Sequence, residues 1–452
     1  MKYGILGIIV LILCSLTIFA DDSKISDKPK IETYPPYYNC VTDPNLWVMT
    51  NPEETRKRFD IYKEIGVDMV RVVPTWELCE IEEGKWDISP YTNYMKIAKE
   101  YGFKIKVVLG VIMQPPKWFL AKHPEAFQKD EEGNVSYFSI SYSFPELKKI
   151  VGEKNKKLVE LMKEEGVWDD VIYVVPTFGP AGEPIYPHPW TLTYIEDYGE
   201  PKYWGYEEAG QKDFAKSMKA KYENIDLANK AWNTDFKNWD DVIIFKSGEK
   251  PGTYWNDYLV WYRNRKQDFI KWEIGNLREI APEKITLVYV PGTAFTQAEW
   301  DDAVVTAQGH MTIKMMCDSM ELMTEAYRQG AWLQYTGSEN APEVARLCKY
   351  LKDNNMGDMI MWGENAGYPR AAKDPVNLAN IIIENGLYGI DYTPTNFAFT
   401  LKDGKEMPDV DNPELYTLKP DEVVPDPEII KELKKAFTMI KEYNAKTKRT
   451  KK

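Results

Sequence analysis

Histidine is scarce in this chain: only 3 of its 452 residues are His. None of them stands at metal-ligand spacing from a Cys, His or Asp, so no zinc site is predicted. The chain also lacks a GxSxG segment, the turn that presents a nucleophilic serine in α/β hydrolases. Acid–base chemistry would therefore rest on carboxylates, and the sequence predicts neither a metal nor another cofactor.

Basic charge and long apolar runs are also limited. The formal net charge is −13, so the chain lacks the excess of Lys and Arg that phosphate binding needs. Beyond the first 20 residues, no segment approaches the ~20 apolar residues of a membrane helix. The sequence therefore predicts no nucleic-acid partner and no membrane span.

The first 20 residues are typical of a secretory signal peptide. Residues Met1–Ala20 contain one Lys and the apolar run Ile5–Leu13, and an acidic pair, Asp21-Asp22, follows. This pattern predicts export to the periplasm, the cell surface or the medium. A lipid anchor at Cys14 is the alternative.

Cysteine is rare, and the chain without its predicted signal peptide keeps four. An even number in an exported chain permits disulfides, but their wide spacing gives no framework and fits isolated buried thiols as well. The four are Cys40, Cys79, Cys317 and Cys348.

Short apolar runs alternate with helical patterns along the chain. Eight such runs predict an α/β fold, a (β/α)8 TIM barrel, with a long insertion after strand 4. The predicted strands are 46–49, 68–73, 104–111, 171–175, 285–290, 331–336, 358–362 and 388–392.

The predicted barrel domain covers 41–445. Within it, about 184–253 is too long and too aromatic for a simple loop, and it predicts an inserted lobe over the barrel mouth with a helix near 208–222. A mobile segment, 21–40, is expected before the barrel and a basic tail, 446–452, after it.

Two glutamates stand just after predicted strands. Glu183 lies in GPAGEPIYP after strand 4, and Glu364 lies in WGENAGYP after strand 7. Residues past the C-terminal ends of barrel strands line the active site. Glycoside hydrolysis needs two carboxyl groups, one as acid and one as base or nucleophile. The sequence therefore predicts a glycosidase with this catalytic pair; Glu339, in the similar context Ser-Glu-Asn, is a rival for Glu364.

The glutamate motifs resemble those of the β-amylases, glycoside hydrolase family 14. GPAGEPIYP is similar to the family's strand-four motif GPAGELRYPSYP, and WGENAGYPR to its strand-seven motif GENALPRYD. Residues 333–340, LQYTGSEN, resemble the inner loop LNFTCLEM, and 66–80 resemble the strand-two segment GVDAVSVDVWWGDVE. The order of these motifs agrees from about 47 to 392.

This resemblance implies roles for single residues. Glu183 falls on the general acid and Glu364 on the base that activates water, which implies cleavage with inversion. The implied substrate-binding residues are Thr336, Glu339, Asn365 and Ala366.

Three further candidates come from their places near strand ends. Trp76 and Tyr186 present aromatic faces of the kind that stack on sugar rings, and Gln114 follows strand 3. The sequence predicts that they contact a carbohydrate substrate.

Parts of the β-amylase pattern are absent. The family's HQCGGNVGD loop is missing, and its strand-two aspartate corresponds to Val73. Its strand-five lysine and histidine correspond to Tyr289 and Ala294. The resemblance therefore covers the cleavage machinery better than the residues that grip a glucan, and it does not imply release of maltose from starch.

A second family, the family 42 β-galactosidases, resembles a different part of the chain. Residues 114–127 are similar to its PPxWLxxKxPE segment and 130–134 to its DEDG turn. That family also places its two glutamates after strands four and seven, but its acid follows Asn, whereas Gly182 precedes Glu183 here. A β-amylase-like inverting enzyme is therefore favoured, with a retaining β-galactosidase as the alternative.

Non-catalytic functions are the remaining alternatives. A sugar-binding barrel without activity, or a purely structural surface protein, would need neither of the two motif glutamates. Because both Glu183 and Glu364 are present in their motifs, the sequence favours an enzyme that acts on a carbohydrate.

Overall fold

The structure is a computed structural model. It describes residues 34–42, 46–110, 112, 114–176, 182–187, 202–246, 252–291, 320–364, 374–393, 398–405 and 422–447. The predicted signal peptide, the possible lipid site at Cys14, and the predicted site residues Asn365 and Ala366 lie outside these residues.

Eight parallel strands close into a barrel, in the order β1-β10-β9-β8-β7-β6-β3-β2. Each neighbouring pair is parallel. The predicted (β/α)8 barrel is therefore confirmed. Its strands are β1 Asn39–Thr42, β2 Met69–Val72, β3 Lys104–Leu109, β6 Val171–Pro176, β7 Ile285–Val290, β8 Trp332–Thr336, β9 Met361–Glu364 and β10 Ile390–Tyr392.

Two antiparallel hairpins lie outside the barrel. The first follows β3 and pairs β4 Phe127–Lys129 with β5 Val135–Ile140. The second pairs β11 Phe399–Leu401 with β12 Val423–Pro425. Neither hairpin was predicted from the sequence.

Helices cover the outside of the barrel, and their apolar faces pack against the outward side chains of the strands. The described helices are α1 Leu46–Thr50, α2 Pro52–Ile65, α3 Trp76–Cys79, α4 Ser89–Tyr101, α5 Lys117–Lys122, α6 Leu147–Glu164, α7 Glu208–Tyr222, α8 Ile225–Trp232, α9 Thr253–Ile280, α10 Met320–Arg328, α11 Ala341–Asp353, α12 Pro375–Glu384 and α13 Pro427–Thr447.

The start of the barrel differs from the prediction. Residues 46–49 were expected to form the first strand, but they belong to α1, and the first strand is Asn39–Thr42. A short apolar run does not distinguish a buried strand from a buried helical turn. Asn39 starts the true strand, and its side chain donates to the carbonyls of Gly66 and Phe437, both at 3.1 Å. The last two residues of the segment expected to be mobile, 39 and 40, are thus in the barrel.

The bounds of the seventh strand and of the last helix also differ from the prediction. The seventh strand was predicted at 358–362 but spans Met361–Glu364, so Glu364 ends the strand instead of following it. The last helix continues to Thr447, so the expected basic tail begins inside α13.

The inside of the barrel is layered. Inward side chains near the N-terminal ends of the strands form an aromatic cluster that includes Tyr173, Trp332, Trp362 and Tyr388. Two residues further along β8, inward position 334 is a glutamine, and its side chain hydrogen-bonds to charged residues of three other strands, Lys106, Glu364 and Asp391. The core is therefore apolar at one end and polar at the end where a barrel active site lies.

The segment predicted as an inserted lobe contains α7 and α8. They pack with the start of α9 around a separate aromatic cluster that includes Trp204, Phe214 and Tyr258. The lobe is held to the β4–β5 hairpin, because the backbone N–H of Lys129 donates to Glu207 at 3.0 Å and its carbonyl accepts from Tyr206 at 3.1 Å.

Three cysteines lie within the described residues, and none of them forms a disulfide. Cys40, Cys79 and Cys348 are free thiols, and the first two are buried. Within the described residues, no helix has the length and apolar character needed to cross a membrane, and no cluster of His, Cys, Asp and Glu has a metal-binding arrangement.

The closure of the barrel between β9 and β10 depends on a glycine. A Cβ atom on Gly389 would lie 2.6 Å from the carbonyl oxygen of Tyr38 and 2.8 Å from the ring of Trp362. We expect Gly389→Ala to lower the free energy of unfolding by about 3 kcal/mol, measured by urea denaturation. Gly275→Ala in α9 is the control, since its nearest contact is a flexible Gln329 side chain at 3.4 Å and Ala favours helix. Equal stability of the two variants would contradict this expectation.

Candidate active site

The two motif glutamates meet at the C-terminal mouth of the barrel. Glu364 is the last residue of β9, and its register partner on β8 is Thr336. The carboxyl group of Glu183, in the loop after β6, lies close enough to Thr336 and to Glu364 for both to act on its pKa. Three residues that the sequence places in the site are therefore brought together.

A glycine lets the loop approach the barrel interior before Glu183. Gly182 has a φ of 86°, and a Cβ atom there would lie 3.4 Å from the ring of Tyr289. A residue with a side chain would be strained in this backbone conformation. The Gly-Glu sequence, where family 42 has Asn-Glu, thus fits a loop that passes directly over Tyr289.

Glu183 has the character of an acid. It is half-buried. Burial raises the pKa of Glu183 to about 7; the negative Glu364 adds to the rise, while the neighbouring Thr336 and the charge of Arg71 oppose it. A carboxyl group that keeps its proton near neutral pH can protonate a leaving group.

Glu364 is held on both oxygens. Its Oε1 accepts from a guanidinium nitrogen of Arg71 at 3.0 Å, and its Oε2 accepts from the amide of Gln334. Its backbone is also fixed, since its N–H donates to Ser338 Oγ at 3.1 Å and its carbonyl accepts from the Ser338 N–H at 2.7 Å. The side chain is only 7% exposed, so its orientation is set before any substrate arrives.

A second carboxylate lies beside Glu364. Asp391 on β10 is its register partner and is fully buried. Lys106 on β3, also fully buried, donates to Asp391 at 3.1 Å and to Gln334 at 2.6 Å. Arg71 lies 3.6 Å from Asp391. Two cations and two carboxylates thus share one buried layer.

The two buried carboxylates titrate differently. Burial raises the pKa of Glu364 and the negative Asp391 adds to this rise, against the lowering by Arg71. Burial alone would also raise the pKa of Asp391, but Lys106 and Arg71 hold it below its usual range. Asp391 is therefore the firmly ionised member. Glu364, with charged and neutral donors on its two oxygens, has the hydrogen bonds that favour a carboxylate over a carboxylic acid.

Two predicted sugar platforms are wrong. Trp76 is 0% exposed, packs against Trp118 and Phe119, and donates its indole N–H to Glu80. Tyr186 is 3% exposed, and its ring stacks on Tyr262 at 3.8 Å. Both rings are buried among neighbouring side chains, so neither can stack on a sugar. In a chain this rich in aromatics, the rings also build the core.

The other predicted contacts lie in loops at the same end of the barrel. Gln114 is partly exposed in the loop after β3 and has a φ of 45°. Glu339 is half-buried between β8 and α11, where its charge acts on Tyr335. The negative charge that raises the pKa of Glu183 is that of Glu364. The geometry thus favours Glu364 over Glu339 as the partner of Glu183, and substrate contact by Gln114 and Glu339 stays a prediction.

Sequence reasoning missed the polar layer under Glu364. A signal was present, since polar residues interrupt apolar strands at inward positions: MVRV in β2, KIKVVL in β3, WLQYT in β8 and IDY in β10. A charged residue in a buried strand needs a partner. The missed residues are Arg71, Lys106, Gln334 and Asp391.

Comparison with known proteins finds similarity to two families of glycosidases. The family model of the β-galactosidases of glycoside hydrolase family 42 matches residues 43–174. β-Galactosidase LacA of Lactobacillus acidophilus is 23% identical over 271 residues, which cover 54% of this chain and 36% of that protein. The β-amylase of Zea mays is 25% identical over 242 residues, which cover 47% of this chain and 49% of that protein. The chain thus spans about a third of the length of the β-galactosidases and half of the maize enzyme.

Solved structures of two glycosidases share the fold of this chain. The catalytic domain of β-amylase from Paenibacillus polymyxa matches with a TM-score of 0.68 and 17% identity, over 91% of this chain and 98% of that one. Gan42B, a family 42 β-galactosidase from G. stearothermophilus, matches with a TM-score of 0.61 and 14% identity, over 92% and 58%. The fold is the TIM barrel of the glycosidases.

The comparisons do not support the preference for family 14 over family 42 that the sequence motifs gave. The motifs around the glutamates favoured family 14, but the family-model match is to family 42, and it ends at residue 174, before both glutamates. Membership of family 14 is not confirmed, and the resemblance to family 42 is the stronger of the two. What the two resemblances share is the barrel and a glutamate after its fourth and its seventh strand.

The buried charges under Glu364 should matter for stability. Arg71→Met would leave Glu364 and Asp391 with one fewer cation, so we expect a loss of about 3–5 kcal/mol in the free energy of unfolding at pH 7, measured by urea denaturation. Arg56→Met is the control, because Arg56 pairs with Glu100 on the surface, with side chains 45% and 55% exposed, and such pairs contribute under ~1 kcal/mol. Similar losses in both variants would show that the buried carboxylates of Glu364 and Asp391 do not depend on the charge of Arg71.

Proposed function

We propose that this chain hydrolyses O-glycosidic bonds of an oligo- or polysaccharide, with Glu183 as general acid and Glu364 as its partner carboxylate. The observation that carries the proposal is the pairing of unlike carboxyl groups at the barrel mouth. Glu183 has a pKa of about 7, and Glu364 accepts hydrogen bonds from Arg71 and Gln334. Unequal environments for two neighbouring carboxyl groups are what a glycosidase uses to keep one protonated and the other charged.

The roles follow from the position of each group. Glu183 is the more exposed of the two and lies in a loop, so its proton can reach the oxygen of a leaving group. Glu364 is fixed at the strand end, where it can act on the opposite side of the anomeric carbon, directly or through a water molecule. When the bond breaks, the acid proton goes to the departing oxygen and the bonding electron pair leaves with that oxygen.

The preferred specificity is β-amylase-like, on an α-1,4-glucan with inversion. Its support is the sequence around the catalytic pair, GPAGE and GENA, together with the 25% identity to the maize β-amylase. Only part of that enzyme is covered, so substrate and linkage are part of the proposal.

A second candidate is a retaining β-galactosidase. Its support is the family-model match over residues 43–174 and the segment 114–127, which has the family 42 pattern. In this case Glu364 forms a glycosyl ester that water then hydrolyses with Glu183 acting as base.

We also propose that the enzyme is exported. The support is the sequence of Met1–Ala20, with its apolar run and following acidic pair. An extracellular or periplasmic carbohydrate is then the substrate that the enzyme meets, and Cys14 is a candidate for lipid attachment.

Replacing the acid should produce a loss that depends on the leaving group. We expect Glu183→Gln to lower kcat on a natural glycan by about a thousandfold or more, and to lower it least on aryl glycosides whose phenolate leaves without a proton. For the wild type, kcat/KM should fall as pH rises through about 7, because Glu183 loses its proton there; the variant should lack this fall on activated substrates. An equal loss of kcat on natural glycans and on activated aryl glycosides would contradict the role of Glu183 as the acid.

The anomeric form of the first product separates the two specificities. With a panel of α-glucans and β-galactosides, proton NMR of the fresh product should show inversion if water attacks directly. We expect inversion, as the GPAGE and GENA contexts favour. A first product of retained configuration, or a glycosyl ester trapped on Glu364, would replace the first candidate by the second. Hydrolysis of neither substrate class, at any leaving group, would overturn the proposed activity.

A further inference from the structure

The polar layer under Glu364 connects five barrel strands. In the strand register, Asp391 pairs with Glu364, Arg71 pairs with Lys106, and Gln334 lies two residues before Thr336, the partner of Glu364 on β8. Lys106, Gln334 and Asp391 are all 0% exposed. They lie deeper in the barrel than the mouth, so any effect they have on the reaction must act through Glu364.

Lys106 determines which way the amide of Gln334 points. An ammonium group only donates hydrogen bonds, so its 2.6 Å contact must be with the amide oxygen Oε1. The amide nitrogen Nε2 then faces the carboxylates, and it donates both to Glu364 and, at 3.2 Å, to Asp391. With the amide reversed, its oxygen would face two carboxylate oxygens and its NH2 would face the ammonium.

Asp391 in turn holds Lys106. Its Oδ2 accepts from Lys106 at 3.1 Å and its Oδ1 accepts from Thr42 at 3.3 Å. The ammonium also lies 4.4 Å from the ring centroid of Trp362, two residues before Glu364 on the same strand. A buried ammonium without the carboxylate would be costly, and so would the carboxylate without the ammonium.

We propose that Lys106 and Asp391 form a positioning pair whose opposite charges set the charge of Glu364, and that Lys106 also fixes the orientation of the Gln334 amide that donates to Glu364. The inference rests on the proposed function, in which Glu364 reacts as a carboxylate. Gln334 presents its donor to Glu364 because Lys106 occupies its acceptor, and Lys106 is kept in place because Asp391 is charged.

Other charged and titratable groups also act on Glu364. Arg71 contacts it, Glu183 faces it across the mouth, and Tyr289 hydrogen-bonds to Arg71 at 3.0 Å. Cys40 lies against Asp391. Neither variant removes any of these groups, so a shift caused by Lys106→Met or Asp391→Asn reports on the pair.

The test is the titration of Glu364 itself. The protein is labelled with 13C at the glutamate side-chain carboxyl, and the Glu364 resonance is assigned by its absence in Glu364→Gln. Lys106→Met removes a cation, so the pKa of Glu364 should rise by about one unit or more. Asp391→Asn removes an anion with little change in shape, so the pKa should fall by a similar amount. The double variant restores the charge balance and should return the pKa toward the wild-type value.

The pH profile of kcat/KM should follow the titration. Its acidic limb, where Glu364 takes up a proton, should move to higher pH in Lys106→Met and to lower pH in Asp391→Asn. On the acidic side of the profile, a one-unit rise corresponds to about a tenfold loss. Lys104→Met is the matched control, since Lys104 lies on the same strand and forms an ion pair with Asp170 at 2.6 Å; it should move neither quantity.

The outcomes separate this inference from the proposed activity. Opposite shifts that cancel in the double variant support the pair. Thermal unfolding first shows whether each variant is folded. In folded variants, shifts of the same sign, or no shifts, overturn the inference. If Lys106→Met does not fold, the shift in Asp391→Asn alone decides. Absence of hydrolysis by the wild type overturns the activity instead, while the carboxyl titration still decides whether the pair sets the charge of Glu364.

Discussion

The contact between Arg71 and Glu364 is the interaction on which the site depends. A carboxylate side chain 7% exposed in a barrel core would take up a proton without a cation nearby. Arg71 at 3.0 Å supplies that charge, and Lys106 and Asp391 complete a layer with equal numbers of positive and negative groups. Because the charges balance, the barrel can bury Glu364 at its strand end and still keep it as a base or nucleophile.

The rest of the structure supports this layer from two sides. On the inner side, the rings of Trp332, Trp362 and Tyr173 fill the barrel and exclude water from the charges. On the outer side, the loop that carries Glu183 crosses the mouth over Tyr289, which itself hydrogen-bonds to Arg71. The acid therefore sits above the layer that fixes its partner. Its own partial burial raises its pKa to about 7, so that it keeps near neutral pH the proton that an acid needs.

The sequence predicted the barrel and the two glutamates because both signals are local. Strand-length apolar runs recur between helical patterns, and each glutamate stands in a short Gly-rich motif after such a run. The first strand was missed because Asn39–Thr42 is short and depends on distant backbone carbonyls, at Gly66 and Phe437. Trp76 and Tyr186 were misjudged because the sequence does not show which rings cover each other. The pairing of Lys106 with Asp391, 285 residues apart, exists only once the barrel closes.

The charge states of Glu183 and Glu364 are measured most directly by locating the protons at the barrel mouth. Neutron diffraction from deuterium-exchanged crystals at about pH 6 would show which carboxyl group carries a deuteron. We expect a deuteron on Glu183 and none on Glu364, with the Arg71 and Gln334 donors directed at the two oxygens of Glu364. A deuteron on Glu364 together with an ionised Glu183 would contradict this expectation, because Glu364 would then be the acid and Glu183 its partner carboxylate.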